Sequence, residues 1–389
     1  MLDEDPLLML PGPTALSENV LQAMCKQMIN HRGEEFHEIF KSVQEKLKKV
    51  FCTKNDIAVL TASGTGAVEA AIRSFFKPGD EIILPNYGYF CQRAEKIAEK
   101  IGITVKSKLL PIGSTPSEAL IEELLDENMN AKGIFIIYNE TSTGVTVRQL
   151  REICLKAKKR GLITIIDAVS ILGGDYLFVD DWKIDICIAG SQKCLATPPG
   201  ISLVSVSEGA QQIAEKIDPC SVYLDVMLHV QWLRERNETP FTPAVPLIYA
   251  LNVSLNQILM EGLKNRIKRH RLCAEAIYRS LEEMGLALLA EKESRSNTVI
   301  AVKYPSKIND KSFRSYLKSR YSIEVAGGIG KLHGKIFRIG CMGNVNASSV
   351  LRTVSGLSLT LNKLGYINDS TKAIEVADGI LSALKIKNV

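Results

Sequence analysis

The sequence predicts an α/β fold: a large domain built on a mostly parallel, doubly wound sheet, followed by a smaller C-terminal α+β domain. Three observations carry this expectation. Between residues 57 and 206, short β-branched apolar runs alternate with amphipathic stretches of helical period, the pattern of strand–helix–strand units. Small or polar residues follow the carboxyl ends of those runs, where ligands sit in open α/β sheets. After Thr239-Pro-Phe-Thr-Pro-Ala-Val-Pro246 the strands become sparse and helical patterns dominate.

Taken in order, Leu7-Leu-Met-Leu-Pro-Gly-Pro-Thr14 is apolar and then punctuated by turn residues, so residues 1–16 are expected to form an extended arm, with Ser17 capping the next helix. Phe36, Ile39, Phe40, Val43, Leu47, Val50 and Phe51 recur at helical spacing from Glu35 to Phe51. Ile57–Leu60 reads as a strand, Thr61-Ala-Ser-Gly-Thr-Gly66 as a small-residue turn and Ala67–Phe76 as a helix. Backbone N–H groups at such a helix start can hold a phosphate, although the segment is neither a dinucleotide fingerprint nor a P-loop. Further strands are expected at Glu81–Leu84, Ile134–Tyr138, Leu162–Ile166, Ile184–Ala189 and Ile201–Val206. The Pro198-Pro-Gly200 turn allows the last of these to run antiparallel. One long helix, Ile248 to Met284, is expected to join a large domain over 17–255 to a small domain over 256–389. Thin strands near Thr298–Val302 and Ile336–Ile339 and helices near Asp310–Ser319 and Asn346–Leu364 complete it.

The composition bounds the function. With 389 residues, 46% hydrophobic and 23% charged, the chain has material for sizeable cores. A net charge of +5 without a dense basic tail argues against nucleic acid, and the basic run Lys264-Asn-Arg-Ile-Lys-Arg-His-Arg271 reads as the solvated face of a helix. Nine cysteines without a CxxC pair and five scattered histidines indicate neither a metal site nor a disulfide framework. No apolar run reaches membrane-spanning length, the acidic start lacks a signal-peptide core, and Lys387-Asn-Val389 is no peroxisomal address. The expectation is therefore a cytoplasmic protein.

Chemistry concentrates at two strand ends. Asp185-Ile-Cys-Ile-Ala-Gly-Ser-Gln-Lys193 places a lysine just past a buried strand, and Gly161-Leu-Ile-Thr-Ile-Ile-Asp167 places an acid at the end of another. A reactive amine beside a carboxylate able to pair with a pyridinium nitrogen is how a protein holds pyridoxal phosphate.

Several residue groups together match one family. Gly190-Ser-Gln-Lys-Cys-Leu-Ala-Thr-Pro-Pro-Gly200, Ser63-Gly-Thr-Gly66, Asn139-Glu-Thr-Ser-Thr-Gly144 and Asp167-Ala-Val169 stand in the family's order, and the likeness runs from Pro11-Gly-Pro13 to Arg338-Ile-Gly-Cys-Met-Gly343. The chain resembles the class V, fold-type I pyridoxal-phosphate aminotransferases, nearest the alanine–glyoxylate and serine–pyruvate branch. The resemblance implies that Lys193 forms the Schiff base and Asp167 bonds the pyridinium nitrogen. Thr65, Gly66, Ala67 and Gln192 would hold the phosphate, while Phe90 and Val169 would cover the two ring faces. Thr141 would lie near the ring's phenolic oxygen. Thr242 would reach the cofactor of a neighbouring subunit, implying a homodimer with shared sites. Arg338 would grip the substrate carboxylate, with Gly12 beside it. The chain departs from the family's usual residues at Ala67 (often histidine), Phe90 (often tryptophan) and Thr239 (often tyrosine).

The implied reaction is a ping-pong transfer of an amino group from alanine or serine to glyoxylate or pyruvate. An aspartate or aminoethylphosphonate donor is the alternative, although no second arginine for a distal acid stands out in the sequence. A cysteine desulfurase-like lyase is disfavoured because Gln192, not histidine, precedes the lysine. A non-catalytic phosphate-binding protein would leave Lys193, Asp167 and Arg338 without a role.

Overall fold

The computed structural model describes residues 6–385. The chain opens with β1 (Leu7–Met9), α1 (Glu18–Met24), α2 (Glu34–Phe51), β2 (Asp56–Leu60), α3 (Gly64–Phe75), β3 (Glu81–Ile83) and α4 (Tyr89–Ile101). Next come β4 (Thr104–Lys106), α5 (Glu118–Glu127), β5 (Gly133–Ile137), the hairpin β6 (Asn139–Glu140) and β7 (Val145–Thr146), α6 (Leu150–Lys159) and β8 (Ile163–Asp167). They are followed by β9 (Ile186–Gly190), β10 (Ser202–Val206), α7 (Glu208–Ala214), α8 (Val226–Arg236), α9 (Val245–Glu261) and α10 (Leu263–Glu283). The C-terminal part holds β11 (Val299–Lys303), α11 (Asp310–Tyr321), β12 (Ile323–Gly327), β13 (Ile336–Gly340), α12 (Ala347–Lys363) and α13 (Lys372–Lys385).

The central sheet has the order β2-β10-β9-β8-β5-β3-β4, and β10 alone runs antiparallel to its neighbours. Parallel strands joined by helices bury both faces, which is why β5 and β9 are buried at every residue. The shared direction also puts the carboxyl ends of β2, β3, β5, β8 and β9 on one edge, where the loops can meet. Helix α2 packs Phe36, Phe40, Val43, Leu47, Val50 and Phe51 into this core, each side chain contributing roughly 1.5–3 kcal/mol of transfer free energy. Its Glu34 and Glu35 at the start, and Lys48 and Lys49 at the end, complement the helix dipole.

A second sheet, β1-β12-β13-β11, carries its own core from Met9 and Cys273 to Leu381. The N-terminal arm is thus a strand of the C-terminal sheet, with Leu7–Met9 pairing parallel to Ile323–Val325. The expected single helix from Ile248 to Met284 is two helices meeting at Gly262, whose φ of 79° breaks the hydrogen-bond ladder in the left-handed region. Strand β12 and helix α13 have no counterpart among the expected elements. Ser17 precedes α1 but makes no capping bond; its hydroxyl instead donates to Gln257 Oε1 at 3.0 Å.

Candidate active site

Asp167 closes β8 opposite Ile137 of β5 and Ile188 of β9, at the middle of the sheet edge. Its Oδ1 accepts the Val169 N–H at 2.9 Å, so the turn after the strand fixes the carboxylate. Lys193 leaves the end of β9 and reaches back to the N-terminal turn, where its Nζ donates to the Pro11 carbonyl. Gly12 makes that approach possible. With a φ of 90°, it leaves room where a Cβ would lie 2.5 Å from Lys193 Cδ and 2.6 Å from Nζ. Thr65, Phe90, Thr141, Asp167, Val169 and Lys193 line one pocket, together with Arg93 and Asn139.

The glycine segment departs from the expected turn. Helix α3 starts at Gly64, three residues early, because the Ser63 side chain caps it by accepting the Gly66 N–H at 3.3 Å. The Ala67 N–H bonds the Ser63 carbonyl at 3.1 Å, and the Ala67 side chain is fully buried. Gly66 and Ala67 therefore keep their amides within the helix start, and the amides of Gly64 and Thr65 are the ones ahead of any intrahelical acceptor. Gln192 lies beside this edge with a buried Oε1 that has no hydrogen-bond partner. Thr242 lies outside the pocket lining, exposed, with Oγ1 at 3.3 Å from His31 Nε2.

Arg338 sits mid-strand in β13, between Ala301 and Ala326 of the flanking strands. Its Nε donates to the Gly327 carbonyl at 3.0 Å and Nη1 to the Thr141 carbonyl at 3.2 Å, leaving Nη2 without a partner among the described residues. Carbonyls of β12 and of the β6–β7 loop thus aim one guanidinium. Burial lowers the Arg338 pKa to about 10, with Glu140 opposing the shift, so the group remains cationic at neutral pH. Burial pushes Asp167 up to about 6, against the Val169 hydrogen bond that lowers it. Burial also brings Lys193 down to about 8, and the nearby Arg338 charge works in the same direction.

Residues 8–355 match the family model for class-V aminotransferases. The chain is a class-V aminotransferase. It is 41% identical over 377 residues to an uncharacterized aminotransferase of Methanocaldococcus jannaschii, covering 96% of this chain and 97% of the relative. It is 33% identical to the alanine–glyoxylate aminotransferase of Oryctolagus cuniculus, covering 90% and 91% of the two chains. The crystal structure of ureidoglycine–glyoxylate aminotransferase from Bacillus subtilis superposes with a TM-score of 0.92 at 29% identity, covering 98% of this chain and 99% of that one.

The cofactor of this aminotransferase is pyridoxal phosphate, and the residues present fit it. An amine and a carboxylate share one pocket, Phe90 and Val169 offer apolar walls, and the helix-start amides of Gly64 and Thr65 provide donors for a phosphate.

Two further residues shape the site without having stood out in the sequence. Glu140 is fully buried, and its carboxylate accepts the N–H groups of Phe90 and Cys91 at 3.0 and 3.1 Å, tying the start of α4 to the β6–β7 hairpin. Its position also demands a glycine at 88, where a Cβ would fall 2.3 Å from Glu140 Cγ. Arg93 is an arginine of the pocket lining that sequence reading did not single out. Its guanidinium lies 4.7 Å from the Phe90 ring centroid and donates to Thr65 Oγ1 at 3.1 Å. Its spacing of three from Phe90 on a helix was the available signal.

Proposed function

We propose that the aminotransferase moves an amino group from alanine or serine to glyoxylate or pyruvate by a ping-pong mechanism, acting as a cytoplasmic homodimer with shared sites. The observation that carries this reading is the buried guanidinium of Arg338, held by the Gly327 and Thr141 carbonyls beside the pocket that Thr141 and Lys193 line. A planar fork of this kind binds one carboxylate through two parallel hydrogen bonds. The names of relatives acting on glyoxylate support the choice of acceptor.

When bound, pyridoxal phosphate supplies an electron sink for charge developing at the substrate's α-carbon. Arg338 fixes the substrate by its carboxylate and so sets which α-carbon bond faces Lys193. With a pKa of about 8, Lys193 Nζ is partly neutral near neutral pH and takes the proton from the α-carbon. Asp167 keeps a negative charge at the far end of the pocket. Phe90 and Val169 exclude water from the reacting carbon's surroundings. Thr242 is exposed, as a residue reaching a neighbouring subunit must be.

Arg93 motivates the second reading, an aspartate or aminoethylphosphonate donor. Its bond to Thr65 sets its charge at the helix-start cradle, so it serves the phosphate end in preference to a distal substrate acid. The test is a half-reaction followed by absorbance. L-alanine or L-serine added alone should discharge the yellow enzyme, and glyoxylate should restore it. Discharge by aspartate but by neither small donor would replace the first reading with the second.

A further inference from the structure

The basic run at the start of α10 divides into two faces. Arg266 and Arg269 turn inward onto Glu261, at 2.9 and 2.6 Å, and Arg266 Nη2 donates to the Cys194 carbonyl at 2.7 Å. Lys264, Lys268 and Arg271, at positions i, i+4 and i+7, share the other face. They are exposed, and none has an ion-pair partner among the described residues.

This face does not simply meet open water. Across a cleft of about 480 Å³ stand Arg148, Asp175, Tyr176 and Asn297. Asp175, the one acid of the cleft, is buried and already engaged: Oδ2 accepts from Arg148 Nη1 at 2.6 Å and from Asn297 Nδ2 at 2.8 Å. Its charge therefore offsets that of Arg148 and leaves the three α10 cations uncompensated. Tyr176 adds an exposed ring, stacked on Phe178 at a centroid distance of 5.9 Å.

We propose that this cleft is an anion-binding site, separate from the amino-transfer pocket, for a small ligand carrying two or more phosphate groups. From Lys264 to Arg271 the helix rises roughly 10 Å, farther than one carboxylate reaches. Two phosphates bring about three to four negative charges at neutral pH, matching the three uncompensated cations. The Arg271 fork suits phosphate oxygens, and the two lysines act as mobile point charges beside it.

The test is calorimetric titration of the holoenzyme with inorganic pyrophosphate at low salt. One saturable site per chain is expected, weakening as salt is raised. Lys268→Glu with Arg271→Glu, and separately the milder pair Lys264→Gln with Lys268→Gln, should each weaken binding at least about tenfold. An Arg338→Gln holoenzyme should bind pyrophosphate as the wild type does. Absence of saturable binding, unchanged affinity in both α10 pairs, or loss in the Arg338 variant would overturn the proposal.

Discussion

Replacing Glu140 with Gln tests how the stacking wall of the pocket is held. The two carboxylate oxygens of Glu140 face four donors. Oε2 accepts from the amides of Phe90 and Cys91, at 3.0 and 3.1 Å, and Oε1 from the Ser142 amide and hydroxyl, at 2.9 and 2.5 Å. Burial raises the Glu140 pKa, and these donors oppose the rise. A glutamine has the same shape but must turn its NH2 toward one of the two pairs. Turned to Ser142, it lets the hydroxyl reverse but leaves the backbone N–H facing another donor; turned to α4, it strands two backbone amides. One buried orphaned amide costs about 1–3 kcal/mol, and weakening the remaining bonds from a charged to a neutral acceptor adds about 1 kcal/mol. Glu140→Gln should therefore lose about 2–4 kcal/mol in urea unfolding of the apoprotein. Because Phe90 rides on the same helix start, the variant should also bind pyridoxal phosphate more weakly in equilibrium dialysis. An unfolding midpoint within about 0.5 kcal/mol of wild type would refute the four-donor reasoning.

Other outcomes follow from the same geometry. Arg338→Gln keeps one donor for the carboxylate and loses one charge-assisted bond of the fork, worth about 1.5–3 kcal/mol, so kcat/KM for both the amino donor and the oxo acid should fall roughly 10- to 100-fold, mainly through KM; an unchanged KM removes Arg338 from the site. Asp167 has its folded pKa raised from 3.8 to about 6. The folded apoprotein thus binds the proton more tightly, and stability falls as pH rises from about 4 to 6. Asp167→Asn should stabilise the apoprotein above pH 6 by up to about 3 kcal/mol, with no gain below pH 4, while loosening the cofactor. Thermal scans of the apoprotein across that range check the sign. Gly12→Ala places a Cβ against Lys193 and a side chain at φ 90°, costing about 1–3 kcal/mol; cofactor attachment, followed by absorbance, should slow or fail.

The parallel sheet and the two strand ends were legible because both signals are local. A short β-branched or apolar run bounded by turn residues reads as a buried strand, and Asp167 closes one such strand while Lys193 follows three residues past another. The start of α3 was misplaced because Ser63-Gly-Thr-Gly66 has turn composition, and it is the Ser63 cap that commits those glycines to helix. The break at Gly262 was hidden because helical periodicity continues on both sides of it. Strand β12 buries only Ile323 and Val325 among its five residues and lacks the continuous apolar run that marks strands of the same length such as β5 and β9. Glu140 and Arg93 were missed for a different reason. A charge reveals its burial only once distant segments close around it, and Glu140 bonds residues 49 and 50 positions away.

The central claim is that Lys193, at the end of β9, carries the cofactor. Borohydride reduction of the holoenzyme, followed by proteolysis and peptide mass analysis, tests it most directly. The reduced phosphopyridoxyl group should be found on the peptide containing Lys193, and Lys193→Ala protein treated alike should carry none. Label on a different lysine, or an unlabelled Lys193 peptide from yellow wild-type enzyme, would contradict the account.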